Sequence, residues 1–167
     1  MDTVSIITGL GLVALITLPF IFHYLHKKNK DIKFMKDLIS LAEREKAIIS
    51  QKEFWRECYA IGIDDISKKL LYIHKRKDKE LRTLIDLSAV ERCRIVNVSR
   101  MVKTQNSNNN VLDRLELVFS FQKSDIPEEV LEFYDSSEFM TTDGELPLIE
   151  KWLGIINSNL KTSKSNL

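Results

Sequence analysis

The stretch from Val4 to Leu25, VSIITGLGLVALITLPFIFHYL, carries no formally charged side chain, and its polar members are Ser5, Thr8, Thr17 and His23. An α-helix needs roughly 20 apolar residues to cross about 30 Å of hydrocarbon. A helix of a water-soluble fold seldom stays apolar around its whole circumference for that length. The stretch is therefore read as a transmembrane helix. A removable export signal would place basic residues ahead of a shorter apolar run and end in a small-x-small cleavage site. Here the chain opens Met1-Asp2-Thr3 and the run ends in bulky Phe22-His23-Tyr24-Leu25, so an uncleaved anchor is expected.

The flanks orient it. Lys27, Lys28, Lys30, Lys33 and Lys36 crowd the C-terminal side, and nothing basic stands on the other. By the positive-inside rule, residues 1–3 face outward and the rest of the chain is cytosolic, at the inner (cytoplasmic) membrane of a cell. Pro19 is tolerated in such a helix where neighbouring groups satisfy the freed carbonyl. Ser5 and Gly9 make one small-xxx-small step, the basis for at most a weak homodimer through the span. His23, Tyr24 and His26 fall at headgroup level and are read as interfacial side chains, not as a metal or proton site.

Residues 26–45 form a basic juxtamembrane segment and a helical stalk. From Asp31 to Arg44, Ile32, Met35, Ile39 and Ala42 recur at helical spacing, widened by Leu38 and Leu41. The stripe is expected to pack on the following domain or to lie on the membrane. Fewer than three heptads are present, which is short for a coiled coil.

Residues 46–160 are expected to form one cytosolic domain, ahead of a frayed tail at 161–167. Alternation of apolar and polar residues marks strands over Ala47–Phe54, Glu57–Ile63, Leu70–His74, Leu81–Leu87, Glu91–Thr104, Leu112–Phe121 and Val130–Tyr134. Asp64-Asp65-Ile66-Ser67-Lys68 reads as a turn, Lys75–Glu80 as a hairpin end, and QNSNNN (Gln105–Asn110) as the plainest loop. The apolar set of the fifth strand changes face near Ile95-Val96, as a β-bulge would cause. Ile149, Trp152, Leu153, Ile156 and Leu160 define one face of a terminal helix, with Asp143 as its cap and Pro147 in its first turn. Short connections between consecutive strands predict an α+β, mostly β domain: an antiparallel seven-stranded sandwich or partial barrel capped by a C-terminal helix.

IGID (Ile61–Asp64), KKLLYI (Lys68–Ile73), IDLSAVERCRIV (Ile85–Val96), LELVF (Leu115–Phe119), LEFYD (Leu131–Asp135) and ELPLIEKW (Glu145–Trp152), in this order, resemble a pleckstrin-homology-type module. Together they are similar to a group of uncharacterised, singly membrane-anchored proteins of Bacteroidota-type bacteria. The resemblance implies a small β-barrel closed at one end by a helix. It implies no activity.

The sequence excludes more functions than it suggests. A net charge of +1 with a pI near 7.7 argues against bulk nucleic-acid binding. Cys58 and Cys93 are the two cysteines; with no CxxC and no Cys/His spacing of a zinc motif, they are expected as reduced thiols, with no metal and no cofactor. His74, amid Lys75, Arg76 and Lys77, reads as a solvated hairpin residue. The acid pairs Asp64-Asp65, Glu128-Glu129 and Asp143/Glu145 sit beside turn signals, and general acid–base work needs opposed carboxylates in a cleft. No glycine-rich phosphate loop is present, and no catalytic residue is assigned.

What remains is a non-catalytic, membrane-anchored binding or scaffold module with a protein partner. Two alternatives stand beside it: a structural subunit of a membrane complex assembled through the span and stalk, and an anionic-lipid binder. The lipid reading rests on Lys68, Lys69, Lys75, Arg76, Lys77 and Arg82 forming one cationic rim beside the anionic leaflet.

Overall fold

The computed structural model describes residues 15–19, 21, 34–76, 79–104 and 107–165. Most of the expected span, and Lys27, Lys28, Lys30 and Lys33 of its lysine flank, lie outside these. Of 4–25, residues 15–19 and 21 are helical, and Leu15, Ile16, Leu18 and Ile21 are exposed. No helix among the described residues is long and apolar enough to cross a membrane.

The body is α+β and mostly β. Helix α1 (34–44) precedes a four-stranded antiparallel sheet in the order β1 (Gln51–Trp55), β2 (Tyr59–Asp64), β3 (Lys69–Arg76), β4 (Lys79–Asp86). A single 3-10 turn, Leu87–Ala89, leads into a three-stranded antiparallel sheet of β5 (Val90–Thr104), β6 (Ser107–Phe121) and β7 (Glu129–Asp135). Helix α2 (Glu145–Ser165) completes it. The seven strands follow the predicted order. The sheets stay separate and neither closes into a barrel, which corrects the barrel that the resemblance implied.

Two hydrophobic layers result. The main core lies between the sheets, where Tyr59, Ile61, Ile63, Tyr72, Leu115, Leu117, Phe119, Leu131 and Phe133 meet Ile149, Trp152, Ile156 and Leu160 of α2. The predicted face of the terminal helix is thus the face buried, with Leu153 half-buried beside it. The second layer covers the outside of the first sheet. There Phe34, Leu38, Leu41 and Ala42 of α1 pack on Ala60, Leu71 and Ile73. The stalk stripe is therefore rotated from the expected one: Leu38 and Leu41 are central, whereas Ile39 is exposed. This explains β2, in which all six residues are buried: large side chains enter the core while Ala60 and Gly62 admit α1 on the other face. Leu38 Cδ2 stands 3.2 Å from where a Cβ on Gly62 would be.

Four local expectations are corrected. The first strand starts at Gln51 and not Ala47, because Lys46 adopts φ 53° and residues 47–49 link α1 to the sheet. Of the expected loop QNSNNN, residues 107–110 are strand, while Gln105 and Asn106 lie outside the described residues: β6 begins at Ser107, with Asn110 opposite Met101, so β5 and β6 extend as a two-stranded ribbon past the end of β7. The register shifts of β5 fall at Val90/Arg92 and Val98/Ser99, on either side of Ile95-Val96. Helix α2 begins at Glu145 behind Gly144, whose φ of 89° suits glycine; Asp143 lies one residue further out, and its amide donates to the Glu145 carboxylate.

Candidate functional site

One end of the sandwich gathers the polar chemistry. Three segments meet there: the β1–β2 turn (Arg56, Glu57, Cys58), the β3 end (His74, Lys75, Arg76), and β7 with the chain following it (Glu132, Asp135, Glu138, Phe139). Arg56 and Glu57 both take left-handed backbone, φ 52° and 56°, which lets the chain reverse between β1 and β2. The amide of Lys75 donates to the Cys58 carbonyl at 2.8 Å and so fixes Cys58 beside β3.

His74 is buried, 6 % exposed, and its ring stacks on Tyr59 at a centroid distance of 4.2 Å. This overturns its reading as a solvated hairpin residue: β3 pairs His74 with Leu81 and Tyr59, and Tyr59 covers its ring. Its Nδ1 lies 3.8 Å from Glu132 Oε1, and its Nε2 lies 3.4 Å from Glu138 Oε2. The geometry makes no hydrogen bond at Nε2, which with the Trp152 indole nitrogen is one of two buried side-chain donors or acceptors without a partner among the described residues. Cys58 Sγ completes a group with His74 and Glu138 in which the three donor atoms lie within 4.8 Å of one another.

The surroundings hold this group in place. Tyr59 donates its hydroxyl proton to Glu132 Oε1 at 2.7 Å, and Tyr72 donates to the Glu132 carbonyl at 2.6 Å. Arg76 pairs with Glu138 and Asp135 and lies near Glu132, and these carboxylates push its guanidinium pKa up. Trp55 stacks on Tyr59 and Phe133 and donates its indole N–H to the Phe133 carbonyl. Burial, followed by the nearby Glu138 and Glu132 charges, pushes the Cys58 thiol up to about 12. Both cysteines are free, Cys93 buried and Cys58 half-buried, as expected for reduced thiols. A cavity of about 560 Å³ opens beside Cys58 and Glu138, bounded by Arg56, Lys75, Arg76, Lys79 and Phe139.

A second concavity, about 570 Å³, runs along β1. It is lined by the successive residues Lys52 to Glu57 together with Asp143. Among the described residues β1 pairs with β2 and with no second strand, and Lys151 of α2 reaches Glu53 on it. At one end of the groove Arg56 pairs with Glu145, 1 % exposed, and also donates to the Thr141 carbonyl.

The predicted cationic rim does not assemble. Lys68 and Lys69 lie at the start of β3, where Lys68 donates to Asn159 Oδ1 and Lys69 to the Glu45 carbonyl. Lys75 and Arg76 lie at the opposite end of the same strand, roughly 20 Å away at about 3.3 Å per residue. Arg76 is matched by three carboxylates and Arg82 by Glu80, while Lys77 lies outside the described residues. Of the membrane-flank cluster, Lys36 is described and is exposed on α1.

No family model, no curated protein and no solved structure matches the chain. The class the fold defines is α+β and mostly β: two antiparallel sheets, with α1 on the outer face of the first and α2 packed against the second.

Proposed function

We propose that this chain is a non-catalytic binding module, of pleckstrin-homology type, tethered to a membrane by residues 4–25, and that its partner is a protein that adds an extended segment to β1. The observation that carries the reading is the groove of about 570 Å³ along the edge of β1 that no described strand pairs. A free strand edge offers unpaired amides and carbonyls to a peptide backbone, and flanking side chains set which sequence fits. Here Phe54 and Trp55 supply apolar contact, while Lys52, Glu53, Arg56 and Asp143 alternate in sign along the wall. Four strands followed by three, with a terminal helix closing the core, support the fold type. The exposed Leu15, Ile16, Leu18 and Ile21 support the tether.

The test compares three preparations in detergent: wild type, Lys52→Pro, and a chain lacking residues 1–30. Proline removes a backbone donor from the edge strand. A partner captured by wild type and by the shortened chain, but lost from a folded Lys52→Pro chain, is the expected result. Capture that survives Lys52→Pro removes the edge from the proposal. Capture that disappears with residues 1–30 favours instead a subunit assembled through the span and stalk.

A further inference from the structure

We infer that Cys58 Sγ, His74 Nε2 and a carboxylate oxygen of Glu138 form a three-ligand site for a divalent metal of the zinc class, its fourth position open to the adjoining cavity. The inference is independent of the β1 groove.

Distance comes first. Zinc bonds of about 2.0–2.3 Å at tetrahedral angles put ligand atoms roughly 3.3–3.8 Å apart. The three donors already lie within 4.8 Å of one another, and Nε2 and Oε2 are 3.4 Å apart. Side-chain adjustment on the order of 1 Å completes the triangle. Glu138 stands on the chain after β7 and Cys58 on a turn, so both can make that adjustment while His74 stays fixed under Tyr59.

The second observation is the histidine itself. A buried imidazole nitrogen without a partner forfeits its solvation, and Nε2 is in that position, facing Glu138. A metal there uses the lone pair. Coordination through Nε2 leaves Nδ1–H directed at Glu132, whose Oε1 lies 3.8 Å away and is held by Tyr59. A carboxylate behind a ligating histidine fixes its tautomer and orientation. Arg76 does the corresponding service for Glu138 by binding one carboxylate oxygen and leaving the other toward His74.

The donor set decides the metal. Thiolate and imidazole favour zinc over magnesium or calcium, which take oxygen ligands. Cys58 loses its thiol proton to solvent on binding, so thiolate and carboxylate balance the two positive charges of the ion. Arg56, Lys75, Arg76 and Lys79 around the cavity then favour water, hydroxide or an anionic group as the fourth ligand.

Cobalt(II) is the probe, because a thiolate ligand gives it a near-ultraviolet sulfur-to-metal charge-transfer band. The full-length protein, titrated in a chelator-buffered solution, is expected to bind one Co²⁺ with that band, and Zn²⁺ is expected to abolish it by displacement. Cys58→Ala should remove the band, Glu138→Gln should weaken binding at least tenfold, and Cys93→Ser should leave both intact. These three variants avoid the stacked His74, whose replacement would threaten the fold. No band in the wild type, or a band that survives Cys58→Ala, overturns the site; unchanged affinity in Glu138→Gln overturns the third ligand.

Discussion

Asp64 stands at the end of β2 and joins three segments through one buried carboxylate. Its Oδ1 accepts from the amides of Ile66 and Ser67, and its Oδ2 accepts from the Ile48 amide at 2.7 Å and from the Ser67 hydroxyl. Burial alone would raise its pKa, but the Ser67, Ile48 and Ile66 donors outweigh burial and hold it at about 2. The folded-state value lies below the ordinary one, so this stabilisation is complete above about pH 4 and is lost as the pH falls through about 2. Asp64→Asn would turn an NH₂ group against the Ile48 amide. We expect it to cost roughly 1–3 kcal/mol in urea denaturation at pH 7, and to flatten the loss of stability between pH 4 and pH 2. Arg56 and Glu145 make a second such junction, from the β1–β2 turn to the first residue of α2. Burial acts to raise the Glu145 pKa, and the Arg56 hydrogen bond together with the Asp143 and Glu145 amides more than reverses it. Arg56→Met leaves that buried carboxylate without its counter-charge and should cost about 3 kcal/mol. Adding Glu145→Leu should restore about half of it, since an apolar pair replaces a broken ion pair. Simple additivity of the two changes would show that the pair is not coupled.

At the scale of elements, α1 is held by shape more than by polar bonds. Leu38 is fully buried, and its end rests over Gly62, where Ile49 also approaches to 3.3 Å of the absent Cβ. Leu38→Ala should destabilise by about 2–4 kcal/mol through a cavity. Gly62→Val should cost about 1–3 kcal/mol by forcing α1 outward, with hydrogen exchange accelerated first in residues 34–44. Uniform acceleration across β2, β3 and α2 would contradict this ordering. The strands themselves were legible because alternation records one wet and one dry face, as in β6, where Leu115, Leu117 and Phe119 are all buried. The continuous run Leu70-Leu71-Tyr72-Ile73 and the small Ala60 and Gly62 also carried a signal, that both faces of the first sheet are covered. The Asn-rich hairpin misled because residue preference suggests a turn where a long β5–β6 ladder continues. The polar cluster was not legible at all. His74 acquires Glu132 and Glu138 only when β7 docks, and nothing in Tyr72-Ile73-His74-Lys75 announces them. Paired lysines likewise look like one basic surface in sequence, while an eight-residue strand separates them in space.

For the whole molecule, the layers run α1, first sheet, core with α2, second sheet, and the chain enters this stack through α1. The boundary expected from sequence, with a stalk to residue 45 and a domain from 46, cuts through the outer apolar layer. Phe34, Leu38, Leu41 and Ala42 lie on one side of it and Ala47, Ala60, Leu71 and Ile73 on the other. Each large buried side chain contributes about 1.5–3 kcal/mol through apolar burial, so the two halves of this layer depend on each other. Removing residues 1–30 spares α1 and should leave the thermal midpoint within about 2 °C of that of the full chain. Removing residues 1–44 uncovers the outer face of β2 and β3 and should lower the midpoint by roughly 10 °C or more. An apolar surface of that kind also promotes association, so the shorter chain should elute from a sizing column as oligomer where the longer one does not. Vesicle association separates the remaining role of the N-terminus: if residues 4–25 are a tether, the full chain fractionates with membranes and the chain lacking 1–30 does not. Equal midpoints for the two truncations would mean that α1 rests on the sheet without stabilising it, and would return the stalk to an extension independent of the domain.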